Sequence, residues 1–199
     1  MGVLAVVVMA GGVFVTSAQA RALITASGTK GESVQIYTQS DAVDESMAQY
    51  MQTVLNSLGY HTTVKTLTLA TFVGVVANST FHAQVFGYAW YQDYPAASDF
   101  INNQFACSSY HPASSANIDF SEYCSPAIDA GIAHAFALED AGQSTEANAV
   151  WASLDREITN QAPWVPLFTP HLVDFVSARV AHYQFNPLWY FLIDQAWLR

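Results

Sequence analysis

Charge is what this sequence has least of. Only 11% of its 199 residues are Asp, Glu, Lys or Arg, against roughly a quarter in an ordinary soluble domain. Ser, Thr, Asn and Gln therefore have to supply most of the polar surface. Basic residues are the scarcest: six Lys and Arg stand against sixteen Asp and Glu, a formal net charge of −10. No basic stripe exists to neutralise phosphates, so a nucleic-acid partner is excluded, and the same deficit argues against docking on anionic lipid. A cationic ligand is permitted. Long hydrophobic runs are also missing, because the apolar stretch Val3–Val15 is too short to span a bilayer as a helix. No G-x-S-x-G, H-E-x-x-H or phosphate-binding loop occurs. The six histidines (His61, His82, His111, His134, His171 and His182) lie scattered without metal-ligand spacing. No catalytic residue, metal or cofactor is expected. The cysteines number two, Cys107 and Cys124, and no further Cys or His pair accompanies them as a zinc site requires. They read either as two buried thiols or, the preferred reading, as a disulfide. A loop closed in that way contributes about 3 kcal/mol in the chain-entropy model and belongs to an oxidising compartment.

What is present is apolar and aromatic bulk. Hydrophobic residues make up 52% of the chain and aromatics 14%, enough for a packed core and incompatible with disorder. The length suits one large domain or two small ones. The first 20 residues carry no charge. Ala18-Gln19-Ala20 looks like a small-residue cleavage site, which gives residues 1–17 a signal-like reading, although no Lys or Arg precedes the apolar run.

From Ser33 the pattern becomes regular. Ser33–Thr38 alternates and is β-branched, which predicts a strand. Met47, Tyr50, Met51, Val54, Leu55 and Leu58 recur at helical spacing before Gly59, which predicts a helix entered at Asp41–Glu45. Thr62–Leu69 and Ala83–Trp90 read as further strands, with a short helix over Thr71–Ala77 between them. This β-α-β-α-β order implies a parallel sheet with helices packed on it, and ligands of such sheets bind just beyond the carboxyl ends of the strands. Residues 91–124 read as a long ordered loop with short helical turns, uncommon without a function. Ser125-Pro126 opens a helix with Ile128, Ile132, Ala135 and Phe136 on its apolar face. Ser144 caps another, with Val150, Trp151, Leu154 and Ile158 inward and Pro163 beyond its end. Trp164–Thr169 and Leu172–Ala178 read as short strands. The aromatic tail from Pro187 is expected to dock on a sheet or a partner lobe.

The segment Trp90-Tyr91-Gln92-Asp93-Tyr94-Pro95 falls where a ligand is expected, and it sets one carboxylate among aromatic rings. Such an Asp needs a cation or several hydrogen-bond donors. A ligand ammonium held by Asp93, with Trp90, Tyr91 and Tyr94 as walls, meets that need; capping of local backbone amides meets it equally well. Asp93 and Asp99 also form a weak candidate for a catalytic carboxylate pair. Phe86, Tyr88 and Trp90 read most simply as one face of a strand, and Asn78-Ser79-Thr80 matches a glycosylation sequon that is frequent by chance.

Several segments together resemble the family 5 extracellular solute-binding proteins of ABC importers, the dipeptide-, oligopeptide- and nickel-binding group. Ala20–Gly28 looks like the family's A-x-x-L-[LI]-x-A-[AS]-G helix. Trp90-x-x-Asp93-Tyr94-Pro95 followed by Asp99-Phe100 resembles its W-x-x-D-Y-P-D-P-x-x-F loop, with Ala96 and Ala97 standing where the family has Asp and Pro. Tyr123–Asp129 resembles its Y-x-N-P-E-[VF]-D helix start, and Ala162–Leu167 its A-P-x-[IV]-P-L strand. The likeness covers about residues 18–199. It implies that Asp93 holds a ligand's α-ammonium with Trp90 lining the pocket, and a Cys pair in similar members supports a Cys107–Cys124 bridge.

The fold it implies is α/β, a periplasmic-binding-protein type II-like lobe with a parallel-rich sheet and flanking helices, plus C-terminal strands that complete the other lobe. On that basis residues 1–17 form an atypical or signal-like apolar segment, residues 18–162 a second lobe, and residues 163–199 a return segment to a first lobe. The expected function is the truncated, extracytoplasmic substrate-binding component of an ABC importer, with a peptide or small-molecule ligand and a membrane permease as partners and no enzymatic activity. A secreted carboxylate-dependent hydrolase and a non-functional gene fragment are the alternatives.

Overall fold

The computed structural model describes residues 8–10, 13–169, 171 and 173–199, the first six of these by their backbone alone. Part of the apolar N-terminal run forms a short antiparallel ladder, β1 (Val8–Ala10) with β2 (Val13–Val15); the rest of Val3–Val15 lies outside the described residues. Helix α1 (Ser17–Ser27) follows. The Thr16 hydroxyl accepts from the Gln19 backbone N–H at 3.3 Å, and Gln19 Oε1 accepts from the Thr16 N–H at 2.8 Å. This reciprocal pair satisfies two donors that a helix start leaves open. Gly28 ends the helix at φ 78°, a left-handed conformation that glycine adopts without steric cost. Ala18-Gln19-Ala20 thus sits inside a helix, as the resemblance implies for the neighbouring run.

Three parallel strands form the sheet: β3 (Ser33–Gln39) at its centre, β4 (His61–Leu67) on one side and β5 (Val85–Phe86) on the other. Helices α2 (Ala42–Leu58) and α3 (Leu69–Ala77) make the crossovers. The Asp41 carboxylate caps α2 by accepting from the Val43 and Asp44 N–H groups at 3.1 and 3.0 Å, and Gly59 closes it at φ 108°. Thr68, read above as strand, is the N-cap of α3. Alternation along β3 sends Tyr37 to the face where Phe72, Val76 and Ala77 of α3 meet Phe120. On α2, Val54 and Leu58 are buried as expected, but Tyr50 is half exposed and Ala48 is buried in its stead.

The third strand is much shorter than Ala83–Trp90. Only Val85 and Phe86 pair, with Ile36 and Tyr37. Ahead of them, Gln84 Oε1 takes the Gln35 N–H at 2.8 Å in place of a ladder bond. Beyond them, Tyr88 leaves the sheet to pack on Phe120 (ring centroids 4.1 Å apart) and Trp164 (6.2 Å). Tyr88 stays in the core at the Tyr37 face, held there by rings and not by ladder bonds.

That other layer is helical: α4 (Ala97–Phe105), α5 (Pro126–Asp140) and α6 (Ser144–Gln161). Ile101, Ile128, Ile132, Ala135, Trp151, Leu154 and Ile158 form its core. Pro126 opens α5, as expected. Ser144 is the first residue of α6 and not its cap, which is Gln143 without a side-chain bond, because Gly142 turns the chain at φ 72° just before it. The presence of α4 corrects the reading of 91–124 as loop with short turns. It was hidden because Ser98, Asp99 and Gln104, all polar, are among its buried residues, so its inward face carries little apolar periodicity. The Cys107–Cys124 disulfide joins the end of α4 to the start of α5.

Neither Trp164–Thr169 nor the described part of Leu172–Ala178 is a strand; Pro170 and Leu172 lie outside the described residues. A strand needs a neighbour to accept its ladder bonds, and among the described residues these segments meet none. The tail makes two short antiparallel ladders, β6 (Val180–Ala181) with β9 (Trp197–Leu198) and β7 (Phe185–Asn186) with β8 (Tyr190–Phe191). Twelve of the twenty exposed large hydrophobic side chains among the described residues fall in 163–199, with Phe175 97%, Ile193 76% and Val173 71% exposed. This is the densest apolar exposure among the described residues.

Replacing both cysteines by Ser is expected to lower the unfolding free energy by about 3 kcal/mol, read as a shift of the chemical denaturation midpoint under non-reducing conditions. An unchanged midpoint would remove the bridge from the stability of the helical layer.

Candidate functional site

The segment after β5 runs past the carboxyl ends of the sheet and is then folded back on itself. Asp99, in the first turn of α4 and fully buried, accepts the Asp93 backbone N–H on Oδ2 at 2.7 Å and the Asn103 side-chain amide on Oδ1 at 3.0 Å. A carboxylate in this position also meets the positive end of the helix dipole. The Ala96 N–H reaches the Tyr94 carbonyl at 2.9 Å. The backbone of residues 93–99 is thereby closed into a tight turn.

The side chain of Asp93 is left out of this network. It is exposed and makes no hydrogen bond to another described residue. Self-capping, the bland reading of this residue, is thus performed by Asp99 for Asp93 and not by Asp93 for its own loop. The carboxylate pair imagined for catalysis is not formed either: Asp99 meets the main chain of Asp93, and both its oxygens are occupied by structural donors.

The aromatic residues divide. Tyr91 and Tyr94 are 57% and 42% exposed, whereas Trp90 is half-buried and its Nε1 is buried without a hydrogen-bond partner among the described residues. Phe86 and Tyr88 belong to the core at the Tyr37 face; the strand-face reading holds for Phe86 alone, since β5 ends there and neither Tyr88 nor Trp90 is on a strand. Ala96 and Ala97, the two positions that differ from the resembled motif, stand at the start of α4. Ala96 is the N-cap of α4, in extended conformation and with no side-chain cap bond, at the position where an Asp would accept an amide N–H. Ala97 is the first helical residue, where Pro is favoured. The start of α4 is therefore left without a side-chain cap.

Asp119 lies nearby in the chain, next to Phe120, the residue on which Tyr88 packs. It is fully buried. Burial raises its pKa above the ordinary 3.8, although the bonds that its Oδ1 accepts from the Ser121 hydroxyl (2.7 Å) and N–H (3.1 Å) pull the other way, and Glu122 adds a smaller upward push. Its Oδ2 has no partner among the described residues.

Tyr91 lines an open surface depression of about 530 Å³ together with, among the described residues, Val173, Asp174 and Tyr190. The Tyr183 hydroxyl donates to Asp174 Oδ2, which, ahead of burial and the carboxylate charge, raises the pKa of that phenol. Tyr183 is itself held by stacking on Phe191, centroids 5.2 Å apart. Sequence reasoning missed the contribution of Val173, Asp174 and Tyr190. One signal was available, a lone charge in the apolar run Leu-Val-Asp-Phe-Val.

Comparison with known proteins places this arrangement. No family model matches the sequence, and a comparison with curated proteins returns no match. Solved structures do match. The periplasmic binding protein DppA from Helicobacter pylori, in complex with the peptide STSA, superposes with a TM-score of 0.73 at 18% identity, over 91% of this chain and 34% of its own. The clavulanic acid biosynthesis oligopeptide binding protein 2 gives 0.76 at 20% identity, over 91% and 33%. MoaA from A. tumefaciens R10, in complex with mannopinic acid, gives 0.68 at 17%, over 95% and 38%. The α/β fold expected from the sequence, a parallel sheet with flanking helices, is the lobe fold of these solute-binding proteins. The chain spans about a third of the length of the structures it matches.

Supplying the missing cap, Ala96→Asp is expected to stabilise the protein by about 1 kcal/mol, read from thermal or urea unfolding; no gain would mean that Ala96 does not act as the N-cap. Asp119→Asn tests the buried carboxyl. A folded pKa raised above 3.8 means that the stability tied to the protonated form is complete at low pH and is lost as pH rises through the folded value. The Asn variant should therefore melt higher than the native chain at pH 7, with the difference shrinking toward pH 4. An equal difference at both pH values would contradict this.

Proposed function

We propose that this chain is a lobe, with its return segment, of an extracytoplasmic solute-binding protein that passes peptides or similar small solutes to an ABC permease. On this reading residues 18–162 are the second lobe and residues 163–199 lead back to the first. Asp93 holds the ligand's ammonium group, Tyr91, Tyr94 and Trp90 wall the pocket, and no bond is made or broken. The observation that supports the reading is the contrast at the loop: the main chain of Asp93 is fixed by a buried carboxylate, while its own carboxylate is exposed and makes no hydrogen bond to another described residue. Pre-organisation of that kind suits recognition of a cation. It suits acid–base chemistry less, since Asp99 has no oxygen to spare.

The neighbours support a binding role while differing in ligand: a peptide accompanies the Helicobacter pylori protein and mannopinic acid the A. tumefaciens one. The apolar surface of 163–199 supports the idea of a covering lobe, as does the share of the relatives' length that this chain spans. An extracytoplasmic site agrees with the disulfide, and no described helix is long and apolar enough to cross a membrane.

With one wall of the cleft, the chain is expected to bind a dipeptide such as Ala-Ala only at about millimolar strength or weaker, measured by calorimetry; micromolar binding would contradict the half-cleft reading. In an NMR titration glycinamide, which offers an α-ammonium and little else, should shift the backbone signals of residues 91–94. Asp93→Asn should remove that response. A response that survives the substitution would take the ammonium-holding role from Asp93.

A further inference from the structure

We infer that the depression between Tyr91 and the return segment takes a second positively charged group, so that the ligand class is peptides or peptide-like molecules carrying a basic side chain. The inference rests on the reading of Asp93 as the holder of the ligand's ammonium and extends it to the rest of the ligand.

The depression, about 530 Å³ in volume, is open to solvent, with Tyr91, Val173 and Tyr190 57%, 71% and 38% exposed. Its lining is specific in chemistry: two phenol rings, one carboxylate and one aliphatic side chain, with no Lys or Arg. A flat guanidinium or an alkylammonium is the group such a lining favours. The faces of Tyr91 and Tyr190 offer cation–π contact, Asp174 offers the opposite charge, and Val173 packs against the methylene stem of a long basic side chain. The Tyr183 hydroxyl occupies Asp174 Oδ2, which steadies the carboxylate and leaves Oδ1 for a ligand. Tyr190 stands at φ 57°, a backbone conformation that a bulky residue adopts only under constraint, and this strained residue forms part of the wall of the depression. Tyr91 precedes Asp93 by two residues. A molecule anchored by its α-ammonium at Asp93 is thus close to the depression that would receive its side chain. None of the chain's six basic residues lines the depression, so a ligand carboxylate gains nothing there.

The test separates the two sites by probe. N-acetyl-argininamide has a guanidinium and no free α-ammonium, glycinamide has only the α-ammonium, and N-acetylglycinamide has neither. In NMR titrations of the chain, N-acetyl-argininamide should shift the signals of Tyr91, Asp174 and Tyr190 in a saturable way, and N-acetylglycinamide should not. Asp174→Asn should weaken that response about two- to fivefold, the size of an exposed ion pair. Val173→Lys, at a position 71% exposed and so tolerant of a polar residue, should abolish it by charge repulsion. Equal shifts from the arginine probe and the neutral control, or a response untouched by both substitutions, would overturn the inference. A glycinamide response that still depends on Asp93 would then show that only this inference had failed. The converse result, an arginine response that depends on Asp174 beside a glycinamide response indifferent to Asp93, would uphold the depression as a site and overturn the reading of Asp93.

Discussion

The bond from the Asp93 N–H to the buried carboxylate of Asp99 is the constraint on which the site depends. A carboxylate removed from water must be repaid with donors. Asp99 finds them in a loop amide and the Asn103 side chain, within the favourable field of a helix start. Satisfying Asp99 fixes the course of residues 93–99 and anchors the turn to α4. The freedom of the Asp93 carboxylate follows from this division of labour: one acidic residue builds the loop, and the other is presented by it.

That loop is held in place by the packing of two layers. Tyr88 leaves the sheet for Phe120 and Trp164, and Trp164 meets Phe105 at the end of α4 with centroids 5.6 Å apart. These rings couple the sheet layer to the helical layer, and the segment carrying Asp93 spans the two. The disulfide adds a covalent tie on the helical side, between the residues that follow α4 and those that precede α5. Within the helical layer, Gly131 leaves room for Leu154: a Cβ there would stand 2.5 Å from Leu154 Cδ2.

Residues 163–199 follow a different logic. Their ladders are two residues long, and twelve of their large hydrophobic side chains are exposed, because pairs this short bury little side-chain surface. Their few fixed points are local: the Asn186 side chain receiving the Leu188 and Trp189 N–H groups at 2.8 and 3.0 Å, and His182 stacked on Trp197.

Much of this was legible in the residues. Caps, glycines and apolar spacing located β3, α2, β4, α6 and the start of α5 to within a residue or two, because those signals are local and act within a turn or a ladder; α1 was expected only from the family resemblance. The motif around Trp90 and Asp93 could likewise be found from the chain alone. The tertiary structure decided what was not local. The end of β5, the helix hidden behind the polar residues Asp99 and Gln104, and the missing strands after Trp164 all depend on which surfaces happen to meet. So does the company of Tyr91, Asp174 and Tyr190, which are distant in sequence and become neighbours only when the tail folds back. The chain could name its acidic residues; only packing could determine which of them would be spent on structure and which left facing water.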